Sequence, residues 1–449
     1  MSVRKKNLFQ NLSALPSKNS CGEDGKLLLR NGRVIDPSSG IDSRMDVLIS
    51  KDKIELIRER IEAEGGTRVL ELEGKLVVPG LVDMHVHLRE PGREDEETIS
   101  SGGAAAASGG FTSIACMANT QPPIDTSGMV RYVLEAASRT SPVKVFPVAA
   151  ATVGLRGEQM AEIVDLRDAG AVAISDDGNF TGNSEVARRV MEYARMAGLP
   201  VISHCEDPYV GKGGVMNEGY WSTALGLKGI PAASEVAAVG REIALAELTR
   251  ARIHIAHVST GGAVDLIRQA KRKGLAVTAE ATPHHLVLSD EAVSGYDTSA
   301  KMNPPLRSEE DRRAVVEGLR DGTIDVIASD HAPHCEEEKD VEFDEAAFGV
   351  IGLETTVGVV MTFLVNKGVL SLSQAIAALT AAPSSVLDIK AGRIARGQAA
   401  DITVIDPQLE WTVDPCSFAS RSRNSPFKGW TLTGKSVLTI VDGKIVYQA

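Results

Sequence analysis

Residues 79–92 read PGLVDMHVHLREPG: a Pro-Gly break, a short apolar run, two histidines one residue apart, and an arginine two places beyond them. The run Leu81–Leu88 has the length and composition of a buried strand. From there the text alternates between short apolar runs and Ala/Glu/Arg-rich helical stretches. The candidate strands are Leu81–Leu88, Phe111–Asn119, Val143–Ala150, Ala171–Ser175, Pro200–Cys205, Ile253–Val258, Ala276–Ala281 and Ile324–Ser329. Eight strand–helix units predict an α/β fold, a closed (β/α)8 TIM-like barrel rather than an open doubly wound sheet.

Outward from the barrel, both ends of the chain change character. KLLLRNGRVID from Lys26, with Asn31-Gly32 as a hairpin signal, DVLISKDKIELI and RVLELEGKLVVPG read as strands split by turns. Strand text returns from about Gly392 and ends in SVLTIVDGKIVY, with Asp442-Gly443 as its turn. We expect residues 25–78 and 392–449 to form one small β-sandwich domain beside a barrel of residues 79–391, with residues 1–24 as an N-terminal extension. Arg4, Lys5 and Lys6 are not followed by an apolar run, so no secretory signal is expected.

The formal charge of −12, from 48 Lys+Arg against 60 Asp+Glu, argues against a general nucleic-acid binder. At 43% hydrophobic and 24% charged residues the chain has core enough to fold, and it has no stretch long enough to span a membrane. Its five cysteines (Cys21, Cys116, Cys205, Cys335, Cys416) are few, odd in number and unpatterned, which points to the cytoplasm rather than to a disulfide framework.

All nine histidines (His85, His87, His204, His254, His257, His284, His285, His331, His334) fall in the expected barrel, most near the C-terminal ends of strands. Such barrels carry their chemistry there. His85 and His87 share one strand face by the period of two, and His204, His257, Asp330 and the pair Asp176-Asp177 close other strands. Imidazoles and carboxylates converging on one barrel mouth suit Zn²⁺ or a similar divalent ion. Gathered there without a cation, the carboxylates would lack a partner charge.

The stretch Pro79–Gly92, together with Met117-Ala118-Asn119-Thr120, Lys301-Met302-Asn303-Pro304-Pro305-Leu306-Arg307 and Ser329-Asp330-His331-Ala332-Pro333-His334, resembles the dihydroorotase family of the amidohydrolase superfamily. The resemblance runs from about Lys26 to the end. It is to the bacterial branch of longer chains, in which an aspartate stands where related enzymes carry a carboxylated lysine. The resemblance implies one metal site at His85, His87 and Asp330, a second at His204 and His257, and Asp177 between them. Alternation alone does not choose between Asp176 and Asp177; family spacing points to Asp177. It further implies that Arg89, Asn119 and His334, beside His87, hold a substrate carboxylate, and that Asn303 and the backbone at Phe348-Gly349 bind a pyrimidine ring. A salt bridge to Glu90 or Glu94 is the competing use of Arg89. Ala118 stands where the family pattern has proline.

The implied reaction is the reversible closure of N-carbamoyl-L-aspartate to (S)-dihydroorotate with loss of water, a step of pyrimidine (UMP) biosynthesis, with one or two Zn²⁺ per chain. A divalent ion lowers the pKa of bound water and polarises the ring carbonyl, while Asp330 acts as general base and then acid. The partners expected are that small molecule, further copies of the chain and aspartate transcarbamoylase; neither nucleic acid nor membrane is expected. Rival functions are another cyclic amidase, acting on hydantoin or allantoin, and a catalytically silent scaffold paralogue. Arg89 with Asn119 and the missing bridging lysine disfavour the first, and the complete ligand set disfavours the second.

Other signals carry less. Gly429–Ser436 fits the P-loop spacing G-x-x-x-x-G-K-S, but strand text follows where a helix is required. The small residues from Ser100 to Gly110 read as a tightly packed helix. Cys205 reads as a buried thiol and Cys335 as incidental. His254 is expected to face the helical layer, and His284, His285 and His331 are either supports for ligands or core histidines. Glu336–Asp340 reads as a solvated loop face or a lid.

Overall fold

The structure is a computed structural model and describes residues 25–449; the expected extension 1–24 lies outside the described residues. Eight parallel strands follow one another in chain order around a barrel: Leu81–Val86, Phe111–Cys116, Lys144–Ala149, Ala173–Ile174, Val201–Ser203, Ile253–Ile255, Val277–Ala281 and Val326–Ile327. The first and last meet at the mouth, where Val86 bridges His331 and the His87 amide donates to the His331 carbonyl at 2.9 Å. Each observed strand lies within an expected one. Their interior is filled by Met84, Ala115, Met117, Val148, Ala173, Ile202, Ala256, Val326 and Ala328, with Leu387 packed among them. The barrel interior is therefore largely a packed apolar core, and the chemistry of such barrels sits at the C-terminal rim.

Local sequence sets the helices around it. Thr98 caps the first helix, Ile99–Gly109, through a reciprocal box with Ser101. The helix's small residues let it lie close to its neighbours: a Cβ on Gly109 would sit 2.2 Å from the Leu353 carbonyl oxygen.

The chain ends build one mixed sheet of eight strands. From one edge its order is Lys444–Gln448, Thr431–Val441, Ile402–Thr412, Leu76–Pro79, Lys26–Asp36, Ile41–Ser50 and Lys53–Arg58, with Arg68–Glu71 also paired to Lys26–Asp36. Leu27, Val47, Ile54, Val77, Ile402, Ile440 and Ile445 meet in one apolar cluster, so the sheet curls over its own core. Asp442-Gly443 forms the expected hairpin turn. Asn31-Gly32 does not: the strand continues through a bulge, with Asn31 at φ 62° and its amide donating to Asp46 Oδ1. An Asn-Gly pair satisfies a bulge as well as a turn, because both need a left-handed residue. Of Gly429–Ser436, the residues from Thr431 onward are already in the strand Thr431–Val441, which leaves no phosphate cradle there. Among the described residues no helix is long and apolar enough to cross a membrane.

Candidate metal centre

The first barrel strand ends at Val86; His85 in its last pleat and His87 just beyond it reach the mouth with ring centroids 5.4 Å apart. Asp177, just past the fourth strand, points between the imidazoles. Its Oδ2 lies 3.3 Å from His85 Nε2 and 3.5 Å from His87 Nε2, while Oδ1 lies 3.5 Å from His257 Nε2 and 3.8 Å from His204 Nδ1. Asp330, just past the eighth strand, places Oδ1 at 3.2 Å from His87 Nε2 and 3.5 Å from His85 Nε2. Thus the six side chains His85, His87, Asp177, His204, His257 and Asp330 meet at one point. Asp176 faces away, accepting from the amides of Ala151 and Thr152 and from the hydroxyls of Thr152 and Thr181.

The site asks for positive charge. Burial alone would make its aspartates harder to ionise, yet the imidazoles hold Asp177 and Asp330 well below the usual carboxylate range. Burial would likewise strip His85 of a proton, but Asp177, Glu280 and Asp330 push it well above its ordinary value; Asp177 also raises His257. His204 goes the other way, to about 4, through burial and the neighbouring His257. Protons on imidazoles therefore do what a cation would do more fully. His85 Nε2 and Asp177 Oδ1 are buried with no hydrogen-bond partner, and a metal bound in place of the proton would satisfy both. Two triads, His85/Asp177/His257 and His85/His87/Asp330, have donor atoms close enough to hold an ion. The residues present thus fit a divalent metal.

Around the triads lie the other expected site residues. Asn119 Oδ1 accepts from His87 Nδ1 at 2.8 Å. Asn303 Nδ2 lies 3.3 Å from His204 Nε2, while its Oδ1 is buried without a partner. Turned over, the amide would accept from His204 Nε2–H and leave the lone pair on Nδ1, which faces His257 Nε2 at 2.9 Å. Arg89 leaves the strand at φ 60°, and its Nε sits 3.0 Å from Glu96 Oε2 and 3.1 Å from the Pro333 carbonyl oxygen. Its ion-pair partner is therefore Glu96 rather than Glu90 or Glu94. His334 Nε2 lies 3.4 Å from Arg89 Nη2 and 2.7 Å from the Phe348 carbonyl oxygen, and its Nδ1 is 3.0 Å from Glu96 Oε1. Glu96, His334 and Glu338 are also near enough together to hold an ion, but Arg89 and Arg93 already neutralise the two carboxylates.

Two buried lysines fix the loop that carries Phe348 and Gly349. Lys301 Nζ donates to the carbonyls of Phe343 (2.7 Å) and Asp344 (3.0 Å), and Lys339 Nζ to those of Ala347 (2.7 Å), Thr298 (2.9 Å) and Lys301 (3.1 Å). The Gly349 amide donates to the Lys301 carbonyl at 3.0 Å. The acidic stretch is a short helix, Glu336–Lys339, rather than a loop: Glu336, Glu337 and Asp340 face solvent as expected, while Glu338 turns onto Arg93 and Lys339 is buried. Burial and the Lys301 charge push Lys339 down to about 7.

His254 corrects a second expectation. Its side chain is fully buried, and Nε2 reaches Glu280 Oε2 at 3.1 Å, inside the barrel rather than in the helical layer. His257 lies beyond the strand at φ 31°, so counting back from it gives the wrong face. Glu280, which the sequence reading missed, lies 2.5 Å from His85 Nδ1. A lone acid inside the apolar run Val277–Ala281 was its one signal. His285 pairs with Thr282 and the Pro304 carbonyl, and His331 with Glu97 and the Gly352 amide, so neither supports a ligand. Cys205 is buried in the core, which pushes its thiol up.

Known proteins resemble this chain in sequence and in fold. The amidohydrolase family matches residues 76–446. A dihydroorotase of Pelotomaculum thermopropionicum is 55% identical over 94% of this chain and 99% of its own, and one of Syntrophotalea carbinolica is 51% identical over the same shares. Among solved structures, an L-hydantoinase (dihydropyrimidinase) from Arthrobacter aurescens superposes with a TM-score of 0.85 at 26% identity, covering 94% of this chain and 96% of that one. A dihydropyrimidinase from Brevibacillus agri, 24% identical with a TM-score of 0.83 over 94% and 95% of the two chains, shares the fold. Matched along nearly its whole described length, the chain belongs to the amidohydrolase family and, within it, to the dihydroorotases, metal-dependent hydrolases of cyclic amides.

Proposed function

We propose that this chain closes N-carbamoyl-L-aspartate into (S)-dihydroorotate with loss of water, and reopens the ring, using His85, His87, Asp177, His204, His257 and Asp330 to hold one or two Zn²⁺. The observation that carries the reading is the position of Asp177, whose two oxygens face different imidazole pairs while Asp330 completes one of them. A divalent ion held by these residues would supply activated water and polarisation of the ring carbonyl, the two things an unreactive amide needs near neutral pH.

The protein's own groups do the rest. Asp330, held anionic beside His87, takes a proton from the attacking water and returns it to the departing ring nitrogen. Arg89 has its Nε occupied by Glu96 and Pro333, so its Nη end is left to grip the substrate carboxylate with His334. Asn119 spends its oxygen on His87 and keeps Nδ2 to donate. Asn303 and the backbone of Phe348-Gly349 complete the ring contacts. A cytoplasmic location, assembly with further copies and contact with aspartate transcarbamoylase belong to the same reading through the family resemblance.

The test follows the ultraviolet absorbance of dihydroorotate as purified protein opens it, with hydantoin, allantoin and a chelator-stripped sample as controls. Loss of absorbance that stops on stripping and returns with zinc is expected. Turnover of hydantoin alone would move the substrate to another cyclic amide, and silence on all three with zinc present would make the chain a scaffold.

A further inference from the structure

Beneath the metal ligands runs a buried chain of polar groups that the mechanism above does not use. Glu280, on the seventh barrel strand, is fully buried. Its Oε1 lies 2.5 Å from His85 Nδ1 and accepts the backbone N–H of His257 at 3.3 Å. Its Oε2 lies 3.1 Å from His254 Nε2, and His254 Nδ1 lies 2.8 Å from Thr278 Oγ1. A carboxylate only accepts, so both ring nitrogens that face it carry hydrogen. Protonated at Nδ1, a neutral His85 has its free lone pair on Nε2, the atom that points at Asp177 and Asp330. The same Glu280 oxygen anchors the main chain of His257 where it takes its left-handed turn at φ 31°, a conformation disfavoured without outside support.

We propose that Glu280 is a positioning residue for both halves of the metal centre, fixing the ring and tautomer of His85 and the backbone of His257, and itself held in place by His254 and Thr278. The inference rests on the metal reading above. Removing a carboxylate behind a ligating imidazole lowers metal affinity by roughly 10–100-fold, and here one carboxylate supports two ligands.

The test compares full-length wild type, Glu280→Ala, Glu280→Gln and Thr278→Val for zinc per chain after desalting and for zinc affinity in competition with a chromophoric chelator. Glu280→Ala should bind zinc about 10–100-fold more weakly. Glu280→Gln, whose carbonyl still accepts from Nδ1–H, should fall between, and Thr278→Val, one step further back, should lose least. Wild-type zinc affinity in a folded Glu280→Ala protein overturns the inference. Wild type that takes up no zinc overturns the metal reading instead. Should Glu280→Ala not fold, the ring resonances of ¹⁵N-histidine-labelled, zinc-loaded wild type decide, with His85 assigned by His85→Gln. Hydrogen on Nδ1 is expected, and hydrogen on Nε2 overturns the proposal.

Discussion

A carboxylate reaches several imidazoles at once only when the backbone delivers each to the same point, and here Asp177 lies within 3.8 Å of four. Period-two counting was enough to pair His85 with His87, because both lie on or just beyond one strand. It failed for His254 because His257 sits past its strand at φ 31°. Glu280 was hidden for another reason: its partner is 195 residues away, and no local pattern records that contact. Asp330→Asn should cut kcat on dihydroorotate by about 100-fold or more, the usual worth of a general base, read by steady-state kinetics. Arg89→Lys should raise KM by about tenfold or more with a smaller change in kcat. An ammonium cannot reproduce the planar fork that Glu96 and the Pro333 carbonyl hold in position.

Among the elements, every barrel strand was legible as a buried apolar run, yet several expected strands overshoot. Leu81–Leu88 and Phe111–Asn119 end in the structure at Val86 and Cys116, because buried residues continue into the loops that line the mouth. Composition cannot distinguish a buried strand from a buried active-site loop. The loop after the eighth strand shows the cost of disturbing one. A Cβ on Gly349, at φ 143°, would stand 2.8 Å from the Ala332 carbonyl oxygen and 3.0 Å from His334 Cδ2. Gly349→Ala should therefore raise KM by displacing His334 while leaving zinc content unchanged.

Lys339, which clamps the same loop, gives a pH signature. Its folded-state pKa of about 7 lies below the ordinary value of 10.5, so between these values the unfolded chain binds more protons and stability rises with pH. The Tm difference between wild type and Lys339→Met should thus shift in favour of wild type across that window; parallel pH profiles would show that Lys339 does not titrate there.

Over the whole molecule, the barrel presents the chemistry and the two chain ends meet beside it. The strand Leu76–Pro79, from the terminal sheet, runs through Gly80 directly into the first barrel strand. A Cβ on Gly80 would collide with Thr112, so the junction is held closely against the second strand. That the two strand-rich ends would pair into one β unit was legible from their strand text, but they form one curled sheet and not the expected sandwich. The sheet's order was not, since Ile402–Thr412 pairs with Leu76–Pro79 across more than three hundred residues of barrel. The central claim concerns what this scaffold holds at its mouth. Anomalous diffraction at the zinc edge from crystals of the purified, zinc-loaded protein measures it directly. A peak is expected about 2.0–2.2 Å from the facing nitrogens of His85 and His87 and the oxygens of Asp177 and Asp330, with any second peak between Asp177, His204 and His257. A mouth without a peak, or zinc found instead at Glu96, His334 and Glu338, would contradict it.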